Sequence, residues 1–237
     1  MKNSETVKDI HWWEEYFAPG GGWETNGGRE QTRLFAEAFT REVALDPEAT
    51  VSLLDVGCAL GDAIRHFSSV YPGVQLYGID FSHTAIERCR EDLGPSAKFD
   101  TDDMLSLQGH YDVIYVSNVL EHFADFRDRA RYLAGHCARL CIMVPYREMN
   151  GMKDLQPDPR EHHQHTFREE SFDYLITEGI AMEKTIRIFS CPGAWGWKPG
   201  KKIRMRIRNI FRIIFRMRPI DEPQQILYNL QIKKSKV

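Results

Sequence analysis

The 237-residue sequence has few cysteines. Its five, Cys58, Cys89, Cys137, Cys141 and Cys191, are odd in number and include no Cys-x-x-Cys. That excludes a closed disulfide framework and a zinc ribbon, and fits reduced thiols in a cytosolic chain. The first residues, MKNSETVKDIHWW, lack the apolar stretch of a secretory signal. No run approaches eighteen consecutive apolar residues, so no membrane-spanning helix is expected. Internal repeats and low-complexity tracts are missing as well. Excess charge is small, with a net of −3, so the whole chain is not a polycation. Acid, however, is absent from residues 198–218, which hold nine Lys or Arg and leave 22 basic against 34 acidic residues elsewhere. That tract is a distinct surface. These absences point to a cytoplasmic protein, with peripheral membrane contact open to the basic tract.

What is present is an alternation. Residues 1–45 form an N-terminal cap segment and helix, with HWWEEYFAPGGGWETNGG too aromatic for a disordered tail. Leu34, Phe35, Ala38 and Phe39 stand at helical spacing within 29–45, and Asp46-Pro47 ends that helix. Residues 46–237 form the main domain. Strands are expected at 51–56, 75–80, 97–103, 111–118, 138–146, 182–189 and 225–234, and helices at 61–71, 83–93, 125–135 and 168–179. The pattern predicts an α/β fold with a mainly parallel sheet covered by helices on both faces. Right-handed crossovers then align the C-terminal ends of the strands along one ligand-binding edge.

The first strand runs into LLDVGCALGDA, residues 53–63. Gly57 and Gly61 permit a tight turn, and the helix that follows offers free N–H groups to an anion. A dinucleotide fingerprint would place a third glycine where Ala59 stands. A methyl there crowds a pyrophosphate, whereas a carboxylate is less demanding. Asp55 would repel a pyrophosphate but accept hydrogen bonds from an ammonium. The turn therefore suits a zwitterionic amino acid.

LLDVGCALGDA resembles motif I of class I S-adenosylmethionine-dependent methyltransferases, and three further segments fall in that superfamily's order over roughly residues 50–190. The resemblance implies a Rossmann-like seven-stranded sheet whose last strand is antiparallel, with S-adenosylmethionine as cofactor. Asp55, Gly57, Cys58, Ala59 and Gly61 would form the amino-acid side of the cofactor site. Asp80, ending YGID, would accept from both ribose hydroxyls, and Phe81 would pack on the adenine. FDTDDML would bring Asp103 to the adenine amino group and Met104 beside the ring. YDVIYVSNVLEHFAD would place Asn118 at the cofactor edge, with Glu121 and His122 beginning the next helix. Ala59 is a mild departure from the usual D-x-G-x-G-x-G.

Methyl transfer is an in-line displacement, and a hydroxyl acceptor gains from a base. REHHQHTFREESF, residues 160–172, follows the fifth strand. Thr166 and Glu169 have capping-box spacing, which would put His165 at the pocket mouth as the first choice of base, with His122 and His163 behind it. Glu161 with these histidines would be a metal set, but His-x-His with one acid is no zinc signature, so no metal is expected. Arg29 could clamp the methionine carboxylate, and Trp23 offers a flat surface to a sugar.

The acceptor is expected to be a small molecule, a sugar or lipid-linked hydroxyl methylated in polysaccharide or natural-product biosynthesis. The alternatives are N-methylation of an amino sugar, methylation of a lipid or quinone head group, and a non-catalytic subunit that binds the cofactor. A basic amphipathic insertion is expected at 195–219. Ile203, Ile207, Ile210, Ile214 and Met217 share one helical stripe, and Arg204, Arg208, Arg212 and Arg216 share another. A lid or homodimer contact ranks first for it, an anionic membrane surface second, and nucleic acid is not expected.

Overall fold

The computed structural model describes residues 10–46, 50–147, 163–190 and 224–233, together with positions 207, 210, 211, 214 and 215. The strands are β1 (Ser52–Val56), β2 (Gln75–Asp80), β3 (Lys98–Thr101), β4 (Tyr111–Ser117), β5 (Cys137–Pro145), β6 (Ala181–Ser190) and β7 (Gln224–Ile232). The helices are α1 (Ile10–Phe17), α2 (Gly22–Thr25), α3 (Gly28–Glu42), α4 (Asp62–Val70), α5 (His83–Leu93), α6 (Phe126–Ala134) and α7 (Asp173–Thr177). They surround one seven-stranded sheet of order β3-β2-β1-β4-β5-β7-β6. β1 to β5 pair in parallel, whereas β7 lies antiparallel to both β5 and β6. The seven strands and the antiparallel last strand match the expectation.

Strict alternation explains why these runs are strands. Leu53 and Tyr115 enter the core beneath α3 and α4, with Phe39 and Phe67. Their neighbours Leu54, Ile114 and Val116 enter the opposite core with Leu133 of α6 and Leu175 of α7. A strand buried on both faces reads as a continuous apolar run, as 113–116 does and as 53–56 does apart from Asp55. The N-terminal segment packs onto this body, since Phe17 is buried with Ala59, Leu60 and Ala85.

Two local expectations differ from what forms. β3 stops at Thr101, and the chain leaves the ladder at Asp103. The Asp102 amide donates to the Asp80 carbonyl at 3.1 Å, and the Asp103 side chain accepts from the Leu105 amide at 2.8 Å, starting a turn at Met104–Ser106. The helix expected over 168–179 is only α7, and the Thr166–Glu169 capping box does not form. The Thr166 hydroxyl is buried without a partner, while the Glu169 carboxylate accepts from the Tyr146 hydroxyl at 2.5 Å and from Arg147. A bridge between Tyr146 and Phe167 keeps that stretch extended.

The basic insertion lies largely outside the described residues. Of it, Ile207, Ile210, Phe211, Ile214 and Phe215 are described, and all five are exposed. No helix among the described residues is long and apolar enough to cross a membrane.

Candidate functional site

The crevice opens where β1 and β2 end. Gly57 and Cys58 both donate their amides to the Ile79 carbonyl, at 2.8 and 3.0 Å, which folds the turn onto the end of β2. Gly57 adopts φ +74°, and a Cβ there would meet Val119 Cγ2 at 2.4 Å. Glycine is required on both counts. Ala59 also sits at positive φ, +48°, a conformation that costs an L-residue energy and is held here because its amide donates to Asp80 Oδ2 at 3.0 Å. Gly61, at φ +73°, is the N-cap of α4.

Two buried carboxylates face this turn. Asp55 is 2% exposed, and its Oδ2 has no hydrogen-bond partner. Burial, then the charge of Asp80, pushes its pKa up to about 8. Asp80 accepts from the amides of Ala59 and Ser82, each at 3.0 Å. Burial raises its pKa to about 6 despite those bonds. An orphaned acceptor beside a bonded one is a cradle for donors, and an ammonium next to Asp55 would restore its charge. Phe81, just past Asp80, is 37% exposed.

Helix α1 roofs the crevice. The Glu14 carboxylate caps α5 by accepting from the Ser82 hydroxyl at 3.0 Å and from the amides of His83 and Thr84 at 2.9 Å each. Trp13 meets both Phe81 and His122 edge-on, each at 6.1 Å. Nothing in the local sequence signals the Glu14 cap, because its partners lie about seventy positions downstream.

Past β4 the chain turns sharply. Asn118 holds φ +53°, its amide donates to the Met143 carbonyl at 2.9 Å, and its Oδ1 is buried without a partner. A short turn over Leu120–His122 follows. Here Glu121, His122 and His163 converge, their ligand atoms all within 4.8 Å of one another. The Glu121 side chain is fully buried, the His163 side chain is 6% exposed, and His163 Nε2 lies 3.9 Å from Glu121 Oε1. The His122 and His163 rings are 5.0 Å apart. Gln164 fixes the arrangement, its amide donating to the Glu121 carbonyl at 2.7 Å and its side chain to the His122 carbonyl at 2.8 Å.

The structure redirects three sequence expectations. His165 packs against Phe126 at 4.6 Å with Nε2 3.3 Å from the Ala124 carbonyl, so it anchors the loop to α6. Of the two, it is His163 that lies beside Glu121. Arg29 faces three acids, Glu24 at 3.3 Å, Asp62 at 3.1 Å and Asp92 at 3.5 Å. Trp23 packs within the N-terminal aromatic cluster, tilted against Phe17 at 5.2 Å and beneath Gly28. Met104 is buried beside the crevice-side core, and Asp103 lies 3.7 Å from Arg129. Glu161, named with the histidines, lies outside the described residues.

The sequence profile of a methyltransferase domain family matches residues 28–178. No curated protein sequence matches the chain. Among solved structures, the plantazolicin methyltransferase BpumL in complex with SAH superposes with a TM-score of 0.57 at 18% identity, over 94% of this chain and 95% of that one. The N-methyltransferase NodS from Bradyrhizobium japonicum WM9, in complex with S-adenosyl-L-homocysteine, gives 0.60 at 15% identity, over 95% and 98%. The [4+2]-cyclase SpnF gives 0.59 at 14% identity, over 84% and 81%. At such identities the likeness speaks to the fold alone, and SpnF is named for a reaction other than methyl transfer.

Proposed function

The chain belongs to this methyltransferase domain family, and on that premise we propose that it uses S-adenosylmethionine to methylate an oxygen of a small molecule, a sugar hydroxyl first among them. The observation that carries the reading is that Trp13 touches both Phe81, next to the Asp80 carboxylate, and His122, next to Glu121 and His163.

The crevice fits the cofactor. Asp55, buried with an orphaned oxygen, suits its ammonium. Asp80 keeps a lone pair on each oxygen for two ribose hydroxyls, and the exposed Phe81 face suits the adenine. When bound, S-adenosylmethionine supplies an electrophilic methyl on sulfur. The chain's task is then alignment and shielding. Trp13 of helix α1 flanks Phe81, while Gln164 holds His122 and His163 against Glu121 on the acceptor side, where a hydroxyl proton has to leave.

N-methylation of an amino sugar is the second reading. A fully buried Glu121 would suit an amine, and NodS is named as an N-methyltransferase.

The test is methyl transfer from labelled S-adenosylmethionine to a panel of nucleotide sugars and amino sugars, with the product linkage read by mass spectrometry. An O-methyl product supports the first reading and an N-methyl product the second. No measurable cofactor binding by calorimetry overturns both.

A further inference from the structure

The acceptor side raises a question that proton removal alone leaves open. Glu121 is fully buried. Among the described residues two imidazoles converge on it, delivered from two separate segments and held by the Gln164 bonds. Two histidines and one carboxylate form the donor set of catalytic zinc sites and of other borderline transition-metal sites that keep positions open for substrate.

We propose that Glu121, His122 and His163 bind a divalent transition-metal ion of the zinc class. This rests on the reading that their cluster is the acceptor side of the methyltransferase crevice. The geometry is close to what an ion needs. Zinc ligands about 2.0–2.1 Å from the metal stand about 3.3 Å from each other, whereas His163 Nε2 and Glu121 Oε1 are 3.9 Å apart and all three ligand atoms lie within 4.8 Å. Small side-chain rotations close the difference. The bonds from Gln164 already hold the two ligand-bearing backbones in register, the outer support that metal sites depend on. Magnesium is disfavoured, because it prefers an oxygen shell and this set holds two nitrogens.

The consequence for the acceptor is direct. Three protein ligands leave a position for an acceptor oxygen. The ion lowers that oxygen's pKa, and the proton leaves to water. A hydroxyl pair, as on a sugar, offers a second donor to the same ion. Transfer of a methyl group changes no oxidation state at the metal, so a redox-inert ion suffices.

The experiment uses the full chain, stripped with a chelator and titrated with Co²⁺ while the visible d–d bands are followed, with Zn²⁺ then added as competitor. The expected result is one equivalent bound in the wild type, displaced by Zn²⁺. Affinity should fall at least about 100-fold in Glu121→Gln and His163→Ala, and hold in His165→Ala. His122→Asn gives a milder third variant, with circular dichroism and S-adenosylmethionine affinity confirming the fold of each. No stoichiometric binding in the wild type, or binding that Glu121→Gln and His163→Ala leave intact, overturns the site. The two readings fail separately. Methyl transfer that persists in chelator with no metal bound removes the ion and leaves the enzyme. Metal bound by the triad in a chain that never binds S-adenosylmethionine does the reverse.

Discussion

The Glu14 carboxylate accepts a hydrogen bond from the Ser82 hydroxyl at 3.0 Å, two residues beyond the carboxylate at the heart of the crevice. Because Glu14 also takes the amides of His83 and Thr84, helix α1 is fastened to the N-terminus of α5, where a negative charge is favoured. Burial opposes ionisation of Glu14, but the bonds from Thr84, His83 and Ser82 outweigh it and its pKa is lowered. Glu14→Ala should therefore cost about 1 kcal/mol of stability, the usual value of a lost cap, and weaken cofactor affinity by loosening the roof over Phe81. A depressed carboxylate pKa contributes stability above the unfolded value and loses it as pH falls through the folded one. The difference in melting temperature between wild type and variant should be full at neutral pH and shrink below pH 4.5. An equal difference at every pH would contradict the cap.

Asp55 behaves in the opposite sense. Its pKa, raised to about 8 by burial and by Asp80, favours the protonated form in the folded chain. In the cofactor-free protein its contribution to stability is therefore full below pH 4 and declines as pH rises toward 8. Asp55→Asn should flatten that decline in chemical denaturation carried out across pH 5–8. S-adenosylmethionine, through its ammonium, should bind the ionised form and release a proton at pH 7. Calorimetry in buffers of different ionisation enthalpy reads that proton directly. Zero release with the wild type would separate Asp55 from the ammonium.

Much of this is legible in the sequence. Strands buried on both faces must read as apolar runs, so β1, β2 and β4 fall within a residue of their expected bounds, and the turn between Asp55 and Gly61 follows from chemistry that only small residues permit. What stays hidden depends on distant partners. Glu14 reaches a helix about seventy residues away, and Arg29 finds Asp62 and Asp92 only when α3 lies across α4 and α5. Between His163 and His165, choosing the one that faces Glu121 requires knowing that Gln164 pairs with the turn at 121–122. The capping-box spacing at Thr166 misleads because the Tyr146–Phe167 bridge competes for the same backbone.

Gly57 tests the turn itself. With φ +74° and Val119 Cγ2 only 2.4 Å from where a Cβ would stand, Gly57→Ala faces both backbone strain and a clash. The strain alone is about 1–2 kcal/mol. Adding Val119→Ala removes the clash and leaves the strain, so the double variant should recover part, not all, of the lost melting temperature. Full recovery would show that φ is not the constraint, and no recovery that the clash is not.

Asp80 has two tasks that can be separated. Its oxygens brace Ala59 and Ser82 and keep further lone pairs for ligand hydroxyls. Asp80→Ala should abolish cofactor binding. Asp80→Asn retains one acceptor oxygen, so it should preserve part of the turn while lowering affinity at least about 10-fold through the lost charge-assisted bonds. Binding isotherms matching the wild type in either variant would remove Asp80 from the ribose.

His163 and His165 stand two positions apart and face different surroundings. His163 lies against Glu121 beside the crevice, and His165 lies against Phe126 with Nε2 toward the Ala124 carbonyl. His163→Ala should lower kcat about 10²-fold or more, the range of a lost acid–base or acceptor-positioning group, while cofactor affinity holds. His165→Ala removes an aromatic contact and a loop anchor. It should lower the melting temperature by a few degrees, a loss of about 1 kcal/mol, and leave kcat within a few-fold at temperatures where the chain is folded. Measuring both parameters in both variants decides between them. A kcat collapse in His165→Ala with His163→Ala unaffected would return the base to the position its loop spacing first suggested, and would mean that the loop rearranges when the acceptor enters.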